Sequence, residues 1–393
     1  MRSALIAALS LLLMAQAAPP VVNRPADLPD TRFPLAELPS AAFLGDAFLS
    51  ETVPALRREA ERVLAGYRIQ DPQVAFGLRI GLASIAALQG RRADAERLIA
   101  EQRATEAKGQ MRAVGYMLTE ALAVSRRSDG TVDCAAAAGQ ITALLGRHPA
   151  DLVRDEALVR YGRVQVSSPA YYASTAVGLI DPEYEGHRSV DLLDGLLLAY
   201  WRLEATSLPQ CREPLSRAFT AWLSAPQNRQ RDIWTERVAP AALFAGARPV
   251  NIAIWDSGFD TGLFADRLVN DPAEPLDGRD NDGNGVVDDI HGPTFDYRLL
   301  PTRFSIPPLS DFLAPRLALQ LAIFKGERDL GFGLETPEAA AFAERARTAS
   351  AAAQAVDIDA GSELGGRGHG TQVASIIARD APWARLYNLY ALP

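Results

Sequence analysis

Val250-Asn251-Ile252-Ala253-Ile254-Trp255-Asp256-Ser257-Gly258 decides how the second half of this chain folds. It is a short, mostly apolar, β-branched run that ends abruptly in a carboxylate, a hydroxyl and a glycine. Such a run reads as a buried strand entering a turn. In open α/β sheets functional groups gather beyond the carboxyl ends of the strands, which is where Asp256 falls. Taken alone, Asp256 serves equally well as a turn cap through its own backbone.

The same half of the chain carries a second marked stretch. Four glycines lie between Gly365 and Gly370 and enclose His369, in Gly368-His369-Gly370-Thr371. An apolar helix is expected from about Thr371 to Arg379, with Val373, Ala374, Ile376 and Ile377 its apolar residues. His369 would open that helix, its imidazole left accessible by the flanking glycines. Pro382 stops the helix, and Leu386-Tyr387-Asn388-Leu389-Tyr390-Ala391-Leu392 reads as a second buried strand. Between the two stretches, residues 298–363 read as a helical insert, with an Ala/Glu-rich helix from about Pro337 to Ala355.

Upstream the character differs. Residues 41–226 follow a helical period throughout, and Pro226, Pro240, Gly246 and Pro249 mark a linker over 227–248. Val74 to Leu88, a break at Gly90-Arg91-Arg92, and Ala93 to Ile99 together predict an antiparallel helical hairpin. It resembles one unit of a helical-repeat array, although no second copy recurs at a fixed period. Further helices are expected near 110–127, 133–146, 151–164, 189–204 and 212–223. Residues 19–40, rich in Pro, Asp and Leu, read as a leader or linker. Met1-Arg2-Ser3, the apolar run Ala4 to Met14 and Ala15-Gln16-Ala17 make a signal-peptide pattern over residues 1–18. That run is too short to span about 30 Å of hydrocarbon. The expectation is an exported protein, periplasmic or extracellular, with no membrane attachment after cleavage.

Composition limits the function classes. The chain has 393 residues, 48% hydrophobic and 22% charged, with a net charge of −8. That balance is ordinary for globular domains and argues against nucleic-acid binding, which wants a basic face. Two cysteines, Cys134 and Cys211, are too few for a disulfide scaffold or a four-thiolate metal cluster. In an oxidising compartment they either pair or stay as buried thiols, and the sequence leaves both open.

Read together, the two stretches carry a resemblance. Ile252 to Gly258 resembles the Asp segment of the subtilisin-like serine proteases (subtilases), and His369-Gly370-Thr371-Gln372-Val373-Ala374-Ser375-Ile376-Ile377 is similar to their His segment. Ala381 to Tyr387 looks like the strand that follows that helix. The resemblance covers roughly residues 249–297 and 364–393, about a fifth of the chain. It implies an α-helical N-terminal domain followed by a partial α/β, parallel-sheet, subtilisin-like domain over 249–393. It further implies an exported serine endopeptidase acting on polypeptide substrates. Asp256 would hold and charge-stabilise His369, and His369 would take a proton from a serine hydroxyl and return it to the leaving amine.

The acidic stretch Asp280-Asn281-Asp282-Gly283-Asn284-Gly285-Val286-Val287-Asp288-Asp289 is similar to one that many secreted subtilases carry between these motifs. Asp280, Asp282, Asn284, the Val286 carbonyl and Asp288 stand at positions 1, 3, 5, 7 and 9 of a calcium loop, with Gly285 at position 6. His291 stands at position 12, where a bidentate Glu completes the EF-hand pattern. A structural calcium ion is one expectation, and an ion-free Asp/Asn/Gly turn is the other.

The chain departs from the family in several ways. Trp255 precedes the Asp where an aliphatic residue is usual, and Asp256 and His369 are 113 residues apart. The family's Gly-Thr-Ser nucleophile segment occurs nowhere, and Ser375 is the sole serine after His369. These features suggest a truncated protease that lacks its C-terminal half or works with a complementing chain. The alternative is a non-catalytic interaction protein or pseudoprotease with a helical partner-binding domain.

Overall fold

The computed structural model describes residues 19–127, 129–229, 237, 240–246, 248–295, 300, 306 and 308–391. The expected signal peptide and part of the expected linker lie outside these residues, as does most of the start of the insert. The chain divides into two units, Met1–Asn228 and Arg229–Pro393.

The first unit is helical. Its axis is a helix of 33 residues, Leu192–Ser224, which packs against helices Pro72–Leu88, Cys134–Gly146 and Ala150–Val166. Leu203, Leu208, Leu215 and Phe219 of the long helix bury against Ile141, Leu145, Val153 and Ala157. The sequence predicted two helices here, 189–204 and 212–223. The chain instead runs helically through Pro209 and Pro214. A proline costs about 3 kcal/mol inside a helix, and an apolar face buried on both sides of it outweighs that. Side-chain caps start several helices: Asp71 accepts from Gln73 and Val74, Asp133 from Ala136, and Asp191 from Asp194.

Cys134 and Cys211 form a disulfide, tying the start of one helix to the middle of the long one. Residues 19–40 also differ from the expected leader. Val21–Val22 pairs with Arg68–Ile69, and Phe33–Pro34 pairs with Ser189–Val190. Val22 and Phe33 are buried, and the Tyr184 hydroxyl donates to the Leu35 carbonyl. Two-residue strands are too short to leave a period in the sequence, so this segment looked unstructured.

The second unit contains a three-stranded parallel sheet. Strands β1 (Val250–Asp256), β2 (Thr294–Phe295) and β3 (Ala384–Ala391) lie in the order β1-β3-β2. β1 and β3 pair in register from Val250↔Ala384 to Asp256↔Tyr390. Side chains alternate across the pleat. Ile254 and Leu386 face a core made with Phe259, Phe264, Leu268 and Ala374. Trp255 points the other way and is 77% exposed.

The insert forms a helical hairpin, α1 (Leu317–Gly331) and α2 (Pro337–Thr348), followed by α3 (Ala351–Asp380). Two expectations are corrected here. The helix expected from Pro337 to Ala355 ends at Thr348, because the Ser350 hydroxyl accepts the Ala353 amide and caps a new helix. That helix then continues unbroken through Gly361, Gly365, Gly366, Gly368 and Gly370, so His369 lies deep within α3 and not at its start. Each interior glycine costs up to about 1 kcal/mol. Tertiary contacts offset this: Arg345 of α2 forms a two-pronged pair with Asp357 at 2.6 and 3.0 Å, and Glu363 accepts the Ser310 hydroxyl at 2.7 Å.

Candidate active site

Asp256 is the last residue of β1, and α3 crosses beyond that strand end. Three groups of atoms fix the crossing. The Gly370 amide donates to Ser257 Oγ at 3.2 Å, and the Asp260 amide donates to Thr371 Oγ1 at 3.1 Å. Between them the helix backbone touches the turn after β1. A Cβ added to Gly370 would lie 2.2 Å from the Gly258 carbonyl oxygen, so only glycine permits this approach. Gly258 itself has φ +78°, the left-handed conformation that turns the chain after the strand.

The result brings the two marked residues together across 113 positions. His369 Nδ1 lies 2.7 Å from one Asp256 carboxylate oxygen and 2.8 Å from the other. The Ser257 amide donates to the same carboxylate at 2.7 Å. The Asp256 side chain is 16% exposed and that of His369 is 65% exposed. Burial pushes the Asp256 carboxyl up, but the hydrogen bonds from His369 and the Ser257 amide outweigh it and hold the group below the usual carboxylate value. An ionised Asp256 can accept a hydrogen bond from Nδ1–H, and in that tautomer the Nε2 lone pair is available as a base.

Among the described residues, no side chain hydrogen-bonds to Nε2. Ser375 donates to the Thr371 carbonyl in its own helix at 2.8 Å. The largely exposed imidazole and its partner carboxylate could act as a base and the group that orients it.

The acidic stretch folds as a loop whose carboxylates do different jobs. Asp280 accepts the amides of Gly283, Asn284 and Gly285. Asp288, at φ +56°, accepts the amides of Asp277 and Gly278. Asn284 Oδ1 accepts the Val286 amide at 2.8 Å. These hydrogen bonds organise the turn. Asp282 alone of the expected ligands joins a carboxylate group, with Glu274 and Asp289, whose oxygens lie within 4.8 Å of one another.

Glu274 and Asp289 are buried, and Glu274 accepts the amides of Asn281 and Asp282. Burial raises the Asp289 carboxyl, opposed by a hydrogen bond from Asn284 and reinforced by the charges of Asp282 and Glu274. These three carboxylates could hold a metal ion. Glu274 was missed because it precedes the loop and the EF-hand spacing gives no place for it. Asp289 lies one residue beyond an expected position.

Comparison with protein-family models, with curated proteins and with solved structures returned no significant match.

Proposed function

We propose that the second unit carries the Asp–His part of a subtilisin-like serine endopeptidase site. The observation that carries this reading is the Asp256–His369 contact, made by a carboxylate at a parallel-strand tip and an imidazole on a helix that packs against that strand. In the proposed reaction Asp256 keeps the proton on Nδ1, and Nε2 withdraws the proton of a serine hydroxyl as it attacks a peptide carbonyl. Nε2 then returns that proton to the leaving amine, and a water molecule repeats the cycle on the acyl-enzyme. The serine and the oxyanion donors would come from further polypeptide, either a downstream segment or a complementing chain. The paired cysteines favour an oxidising, exported setting. A structural calcium at Glu274, Asp282 and Asp289 belongs to the same proposal. It would neutralise three crowded carboxylates and take no part in the chemistry.

The experiment is to express the chain with whatever Gly-Thr-Ser-bearing polypeptide its gene or a neighbouring gene encodes, and to measure hydrolysis of a fluorogenic protein substrate. Hydrolysis that His369→Ala abolishes and Asp256→Asn lowers by about 10⁴-fold supports the reading. Hydrolysis indifferent to both substitutions refutes it. A second reading, a non-catalytic partner-binding pseudoprotease, draws support from the unpartnered Nε2. It gains if no such polypeptide is encoded and the chain is stable and monodisperse alone.

A further inference from the structure

We propose that Thr371 and Ser257 are positioning residues that hold the His369 imidazole on the Asp256 carboxylate. The proposal rests on the Asp–His reading above and concerns how that pair is kept in register. The need for such a device follows from the surroundings of His369. Its side chain is 65% exposed, and a Cβ on Gly366, one turn before it, would touch nothing within 4 Å. Neighbouring side chains therefore do little to fix the ring, and its place depends on where the helix backbone sits above the strand tip.

Apolar packing of Val373, Ala374, Ile377 and Ala378 holds α3 against the sheet, but such packing is non-directional. It resists separation better than it resists sliding or rotation. Advancing a helix by one residue moves it about 1.5 Å and turns it about 100°, so a fraction of that slip carries Nδ1 out of hydrogen-bond range.

Two polar links supply the missing directionality, and both are made by the two residues that follow His369. The Gly370 amide donates from helix to turn, to Ser257 Oγ, and the Asp260 amide donates from turn to helix, to Thr371 Oγ1. The Ser257 amide donates to the Asp256 carboxylate at 2.7 Å. Ser257 thus joins the residue after His369 to the group His369 must meet. Two links at neighbouring residues, one on each side of the Gly370–Gly258 contact, define both the height of the helix and its rotation. Both links join neutral groups, one buried and one exposed, and they constrain the helix through their direction and length.

The test reads the ring and not the reaction, so it needs no nucleophile. In the full chain with ¹⁵N-labelled histidine, long-range ¹H–¹⁵N correlation at about pH 9, where free imidazole is neutral, reports which nitrogen holds the proton. The chain has four histidines, so loss of one signal set in His369→Ala assigns it. The wild type is expected to carry the proton on Nδ1. Thr371→Val and Ser257→Ala are each expected to lower that Nδ1-protonated fraction at least two-fold with unchanged far-UV circular dichroism. Thr371→Ser, which keeps the acceptor, is expected to retain it. If both deletion variants keep the wild-type tautomer, the positioning proposal is overturned while the Asp–His pair stands. If the wild type itself lacks the Nδ1 proton, the Asp–His reading falls and the proposal with it.

Discussion

Replacing Gly370 by alanine should separate the two elements that make the site. The added Cβ would lie 2.2 Å from the Gly258 carbonyl oxygen, 2.8 Å from its carbonyl carbon and 3.2 Å from its nitrogen. All three are backbone atoms of a turn, so no side chain can swing aside. Restoring ordinary contact at about 3.4 Å requires α3 and the turn to part by about 1.2 Å. The His369–Asp256 distances, now 2.7 and 2.8 Å, would then approach about 3.9 Å, beyond hydrogen bonding.

Overpacking of this kind costs about 1–3 kcal/mol, which for a unit of this size lowers its Tm by a few degrees to about 10 °C. Gly366→Ala is the control. Its Cβ meets nothing within 4 Å, and removing a glycine from a helix interior should raise stability by up to about 1 kcal/mol. Differential scanning calorimetry on the full chain checks the signs, and the ¹⁵N signature of His369 checks the geometry. Gly370→Ala with an undiminished Tm and an Nδ1-protonated ring would refute the close approach on which the site depends.

Other perturbations have defined outcomes. Asp256 has a folded value below its ordinary one, so the stability it contributes is present above about pH 4 and is lost as pH falls through the folded value. The Tm difference between wild type and Asp256→Asn should therefore narrow on acidification below about pH 4, and a difference that widens there contradicts the assignment. Reducing Cys134–Cys211 reopens a loop closed across a separation of 77 residues. The chain-entropy cost of about 4 kcal/mol predicts a Tm lower by roughly 10 °C in the helical unit, and an unchanged melt in reductant, with both thiols then alkylated, would count against it. Asp289→Asn removes one of three crowded carboxylates. It should raise the Tm in chelator by a few degrees and remove any increase caused by millimolar calcium. A calcium response that survives the substitution would move the ion elsewhere.

Helix content and the strand ending at Asp256 were legible in the sequence, and the pairing of that residue with His369 was expected from the resemblance alone. Apolar period, β-branched runs and glycine placement act locally, and each leaves a mark within one element. The Asp and His segments could be linked despite their separation only because each resembles a subtilase segment: Ile252 to Gly258 on one side and His369 to Ile377 on the other. The Ser350 cap was also readable in principle, since a serine between two Ala-rich runs is a helix-start signal.

Other features depended on contacts between distant residues. Whether Cys134 met Cys211 was a matter of distance, decided by how two helices cross. The continuity of α3 through five glycines, and of the long helix through Pro209 and Pro214, opposes local propensity and follows from packing and ion pairs. Within the acidic loop, spacing named oxygen-bearing residues but could not say which would come together. Asp280, Asp282 and Asp288 all accept backbone amides, and only Asp282 of them also lies close to Glu274 and Asp289. The sequence thus determined which residues have the chemistry for a base and its carboxylate. Only the tertiary structure decided that they meet, because a hydrogen bond of 2.7 Å is set by the crossing of a helix over a strand tip, and that crossing is not encoded in either segment alone.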